Sequence, residues 1–207
     1  MQVQGTFFQN LIICFYEHDA IANDGLCRRY HHFLGRTSST KNDVGFVIGV
    51  WKQMINQDFF RGVDRIWIFS DGGPKHFKLT SCMTFFRSAQ KHLKIPITYN
   101  FFASHHGHSI CDGVAAQAKK ACNQIQRINQ KPITIAQQIV DTVSVLTNHC
   151  GQIAETVDIE KDAFETFLGI RKLHKFTFSN DKIIGYVLSS DQNAFKEYNV
   201  PQVGFFL

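Results

Sequence analysis

Two acids, each placed just past an apolar run, could do phosphodiester chemistry. The run IWIFS (66–70) ends in Asp71-Gly72-Gly73, and about forty residues later ITYNFFAS leads into HHGHSICDG, which presents Asp112. Nucleases and polynucleotide transferases of the two-metal type hold paired Mg²⁺ or Mn²⁺ ions about 3.5–4 Å apart, to activate the attacking oxygen and to stabilise the leaving one. Hard cations of this kind take carboxylate oxygens, best held on strand ends or first helical turns. Asp71 and Asp112 are therefore candidate catalytic residues and metal ligands. A turn after a buried strand accounts equally well for Asp-Gly-Gly taken alone. His105, His106, His108 and Cys111 are all capable zinc ligands, but their spacing fits a zinc site poorly and no second ligand pair accompanies them. Ser70 has no nucleophile elbow around it. Cys82 falls on an apolar helical face, as a small core residue does, and Cys111 and Cys122 lack an activating partner in sequence.

Local patterning gives the elements that must position these acids. Thr6 to Glu17 is β-branched, aromatic and apolar, and after HDAIANDG the run LCRRYHHFLG follows at hairpin distance. Asn42 or Asp43 offers an N-cap to VGFVIGVWKQMINQ, whose apolar residues recur at helical spacing. VDRIWIFS reads as a strand buried on both faces, broken by Asp71-Gly72-Gly73. Beyond Pro74, residues Phe77, Cys82, Phe85, Phe86 and Ala89 share roughly one helical face. ITYNFFAS is the next strand, so strand, helix, strand makes a right-handed crossover. A helix from about Asp112 carries Lys119, Lys120 and Arg127 outward, and another is expected at ITIAQQIVDTVSVLTN. From Glu155 the character changes to a short acidic helix, IEKDAFETFLGI, then KLHKFTFS and KIIGYVLSS joined by Asn180-Asp181. This divides the chain into residues 1–150 and a small α+β appendage over 151–207.

Composition sets the class. The 207 residues are 44% hydrophobic and 19% charged, which reads as a folded soluble protein with one substantial core. A net charge of +5 and ten His are compatible with a polyanionic partner. Six Cys lie singly, without a CxxC pair, which favours reduced thiols and an intracellular setting. No apolar run reaches the ~18 residues of a membrane span.

Together, SDGGPKHFK, MTFF and YNFFASHHGHSICDGVAAQAKK resemble eukaryotic DNA transposases and transposon-derived proteins with a DDE/D catalytic domain of ribonuclease-H-like fold. The resemblance covers roughly residues 6–128, and its specific part is residues 69–120. It implies an α/β fold with a mixed sheet flanked by helices. It implies Asp71 past the fourth strand and Asp112 at the closing helix as ligands of Mg²⁺ or Mn²⁺. It also implies Lys75, Lys78, His106, His108, Lys119 and Lys120 as nucleic-acid contacts. The family's first catalytic Asp lies on a first strand upstream of LIICFYE, so the chain reads as truncated at its amino end. His108 stands where the family often carries Lys, which would make that contact sensitive to pH. The expected function is a transposase-derived catalytic fragment related to metal-dependent DNA cleavage and strand transfer. The alternative is a catalytically inactive, domesticated or degenerate module that binds nucleic acid or protein. DNA is the expected partner and an oligomer is compatible, no membrane is involved, and a eukaryotic host would place the protein in the nucleus.

Overall fold

The computed structural model describes residues 7–18, 26–37, 44–71, 77–102, 110–159, 167–179, 181–188 and 190–199. In chain order the elements are β1 (Phe7–His18), β2 (Leu26–Thr37), α1 (Val44–Asn56), β3 (Ile66–Ser70), α2 (Thr80–Leu93), β4 (Ile97–Phe101), α3 (Ile110–Asn129), α4 (Ala136–Ser144), β5 (His149–Ile153), β6 (Lys175–Phe178), β7 (Lys182–Tyr186) and β8 (Lys196–Asn199). The expected acidic helix at 159–170 falls largely outside the described residues. The protein is a mixed α/β protein, and its chain is shared between two compact units, residues 1–41 with 108–155 and residues 42–107 with 156–207. One mixed sheet is expected from the sequence, and two are found, ordered β1-β2-β5 and β3-β4-β6-β7-β8.

In the first unit β1 and β2 form a long antiparallel hairpin, from Phe7 opposite Thr37 to His18 opposite Leu26. β5 takes the other edge of β2 in parallel, with Tyr30 opposite His149 and Leu34 opposite Ile153. The central position of β2 explains why residues 32–35 are buried in succession instead of alternately. α4 lies so close to β5 that a Cβ on Gly151 would sit 2.9 Å from both the Cα and the carbonyl oxygen of Val140. The interior here is partly polar. Fully buried His32 shares a 2.9 Å hydrogen bond, Nε2 to Nδ1, with His149, and Asn10 lies 3.4 Å from the other ring nitrogen of His32. Burial, reinforced by the neighbouring rings of His149 and His31, holds the His32 pKa down to about 4.

The second unit has an aromatic interior. Trp51 of α1 stacks on Phe60 at 5.6 Å and meets the edge of Phe86 at 4.9 Å. Phe86 of α2 meets Tyr99, Tyr99 stacks on Phe101, and Phe101 meets Phe176. β3 and β4 are parallel, as a crossover through α2 requires. The strands expected as a separate carboxyl-terminal appendage instead extend this sheet, because β6 pairs antiparallel with β4 and carries β7 and β8 with it. Gln90 ties the arrangement together: its Oε1 accepts from the Ile97 amide and its Nε2 donates to the Phe178 carbonyl, each at 2.7 Å. The expectation that β3 is buried on both faces is corrected. Ile66 is buried but Trp67 and Phe69 are 64% and 60% exposed, because β3 ends its sheet and only one of its faces meets the aromatic core.

Candidate functional site

Asp71 directly follows β3, at the carboxyl end of a strand in a parallel pair, and it is exposed. Rigid backbone leads to it: Ser70 Oγ lies 3.1 Å from the Tyr99 hydroxyl and 3.1 Å from the Asp71 carbonyl oxygen. Burial, then the nearby Cys82 thiol, pushes the Tyr99 phenol well above its usual range, so it stays protonated as a hydrogen-bonding group. The strand therefore delivers the Asp71 carboxylate to solvent from a fixed base.

Asp112 is exposed in the first turn of α3. The partial positive charge of a helix amino terminus favours a carboxylate there, which is reason enough for an acid at that position even without a ligand. Asp71 belongs to the unit of residues 42–107 and 156–207, and Asp112 to the other. Each offers hard oxygen donors of the kind Mg²⁺ or Mn²⁺ takes. Among the described residues no three His, Cys, Asp or Glu side chains gather in a metal-binding group.

α3 supplies the basic surface. Only Val114 and Ala118 of its 20 residues are buried. The helical repeat gathers Ala116, Lys119, Lys120, Asn123, Gln124 and Arg127 along a shallow groove of about 410 Å³. Lys119 and Lys120, expected as nucleic-acid contacts, are both exposed on it. Lys78 is placed differently: it is buried, its Nζ donates to the Arg171 carbonyl at 3.0 Å and lies 5.0 Å from the Phe101 ring centre, and burial lowers its pKa. In that position it ties the segment before α2 to the chain near residue 171. Lys75, His105, His106 and His108 lie outside the described residues. Cys111, considered with them for zinc, points its thiol to the Ile12 carbonyl at 3.7 Å.

The exposed pair Trp67 and Phe69 was missed by sequence reasoning. Their alternation with Ile66 and Ile68 was the available signal, since successive residues of a strand face opposite sides of its sheet. Residues 37–190 match the model of a family described as "Domain of unknown function (DUF8701)". No curated protein and no solved structure matches the chain.

Proposed function

We propose that this chain, which belongs to the DUF8701 family, is a transposase-derived catalytic-domain fragment of ribonuclease-H-like type, related to metal-dependent cleavage and joining of DNA. The observation that carries the reading is Asp71: an exposed acid at the carboxyl end of a parallel strand, followed through a crossover by a second strand and a helix whose first turn holds Asp112. Mg²⁺ or Mn²⁺ bound by such acids would polarise a phosphodiester and lower the pKa of an attacking hydroxyl. The chain's own contribution is to carry each carboxylate on its own stiff element, Asp71 after β3 and Asp112 on α3, and to present Lys119, Lys120 and Arg127 to the phosphate backbone. Ser70 and Tyr99 fix the strand end from which Asp71 projects.

The test is calorimetric titration of Mn²⁺ into the intact chain and its Asp71→Asn variant at neutral pH, followed by cleavage assays on labelled DNA. Saturable binding that the substitution abolishes supports the reading. Equal binding and equal cleavage in the variant would overturn it.

The exposed basic face of α3 favours a second reading, a binding module without catalysis, because that face requires neither acid. DNA binding that persists in EDTA and in both Asp71→Asn and Asp112→Asn, with no cleavage, would select this reading.

A further inference from the structure

We propose that the open face of the five-stranded sheet is a stacking platform for single-stranded polynucleotide. Trp67 and Phe69 project from β3 with 64% and 60% of their surface exposed. Large aromatic side chains left in water on a sheet that buries its other face are costly unless something covers them. Phe102, just past β4, stacks with Phe69 at 6.2 Å between ring centres and 25° between planes. The cross-strand register continues the face through half-buried Thr98, then Thr177 and Lys175, then Tyr186, while Asn100, opposite Phe69, is buried.

Three features select unpaired bases as the occupant. Trp67 and Phe69 are two residues apart on one strand, about 6.6 Å, roughly twice the 3.4 Å rise between bases on a strand of B-DNA. Bases lying on both rings would therefore come from an extended single strand, not from a stacked duplex. Cations are interleaved with the rings: the Arg65 guanidinium lies 5.7 Å from the Trp67 ring centre and Lys175 Nζ 4.2 Å from that of Tyr186. Among the paired residues of this face the register places one carboxylate, Glu197, which Lys182 engages at 2.8 Å, and exposed Asp71 lies just beyond the end of β3. Flat rings with adjacent positive charge on an open sheet are how sequence-tolerant single-strand binding works, by base stacking plus phosphate attraction.

The proposal shares with the function proposed above only the class of ligand, and it needs neither metal nor Asp112. Its test uses the intact chain in EDTA at low salt, titrated with labelled 20-mers of oligo(dT) and oligo(U) and with a duplex of equal length. The protein has two Trp, and Trp51 is buried, so quenching of exposed emission reports on Trp67. Expected results are quenching by the single strands, roughly tenfold weaker binding in each of Trp67→Ala and Phe69→Ala, retention of most affinity in Trp67→Phe, and no change in duplex binding. The two oligomers show whether the platform prefers DNA or RNA. Unchanged melting temperatures verify that the variants fold. Wild-type affinity in both alanine variants, or no quenching, would overturn the proposal. So would a sedimentation change in those variants without loss of oligomer binding, because it would assign the face to protein contact. Loss of Mn²⁺ binding in Asp71→Asn with intact oligomer binding would separate the two proposals, and failure of every nucleic acid to bind in EDTA would overturn the platform alone, because the metal-dependent reading is tested with Mn²⁺ present.

Discussion

The two units solve the problem of a small interior differently. One fills its centre with interlocked rings, Trp51, Phe86, Tyr99, Phe101 and Phe176, whose packing has no proton to gain or lose under ordinary conditions. The other places a hydrogen-bonded histidine pair, His32 and His149, between parallel strands. Aromatic packing responds to volume, whereas the histidine pair responds to pH. Acid should therefore act first on the unit with the histidine pair, and loss of a ring first on the aromatic one.

The largest effect is expected from Phe86→Ala. Phe86 is fully buried and touches four other rings, so its truncation should cost about 3–5 kcal/mol in urea unfolding. Hydrogen exchange should locate the loss in β3, β4 and β6. Protection lost equally in β2 and β5 would show that the contrast between the units is not real.

Acid is the matching perturbation for the other unit. His32 has a folded pKa near 4 against 6.5 for an ordinary histidine, and burial lowers His149 as well. Between these values the unfolded chain takes up a proton that the folded chain refuses. Stability is thus complete above about pH 6.5 and falls as the pH drops toward 4, by on the order of 3 kcal/mol for His32. Exchange measured at pH 7 and pH 5 should show β2 and β5 loosening while β3 and β4 hold. A flat profile in β2 and β5 would remove the histidine pair from the account.

A smaller effect should follow from Gly151→Ala, since the added methyl would meet the Val140 backbone at 2.9 Å. Overpacking of this kind costs about 1–3 kcal/mol, and its signature is weakened protection in α4 and β5. Smallest of all should be Glu197→Gln. The Lys182–Glu197 pair spans exposed side chains, where solvent screens the attraction, so the unfolding midpoint should not move measurably.

The sequence made some of this legible and hid the rest for physical reasons. The hairpin of β1 and β2, helices α1 to α4 and strands β3 and β4 all announce themselves by period and by turn residues. β5 does not, because HCGQI has one β-branched residue and becomes a strand through pairing with β2 more than a hundred positions upstream. β6 and β7 read correctly as a hairpin, but their docking on β4 is a long-range choice that no local pattern encodes. At the candidate site, the placement of Asp71 after a strand and of Asp112 on a helix could be read, because Gly72-Gly73 and the small residues after Asp112 mark those boundaries. Burial of Lys78 could not, since PKHFK looks like any polar linker until the Arg171 carbonyl arrives to accept a hydrogen bond from its ammonium. The His32–His149 pair was equally hidden, as two histidines 117 positions apart carry no mutual signal.

The clasp made by Gln90 has a consequence for synthesis. One arm of its amide reaches Ile97, seven positions away, and the other reaches Phe178, 88 positions away. On the ribosome the near arm can close as soon as β4 emerges, but the far arm must wait for nearly the whole chain. The return of residues 108–155 to the other unit before β6 appears prolongs that wait. Throughout it, the β4 edge that β6 will occupy stands unpaired, so the hydrogen-bonding groups along that edge are satisfied within the sheet only once β6 arrives.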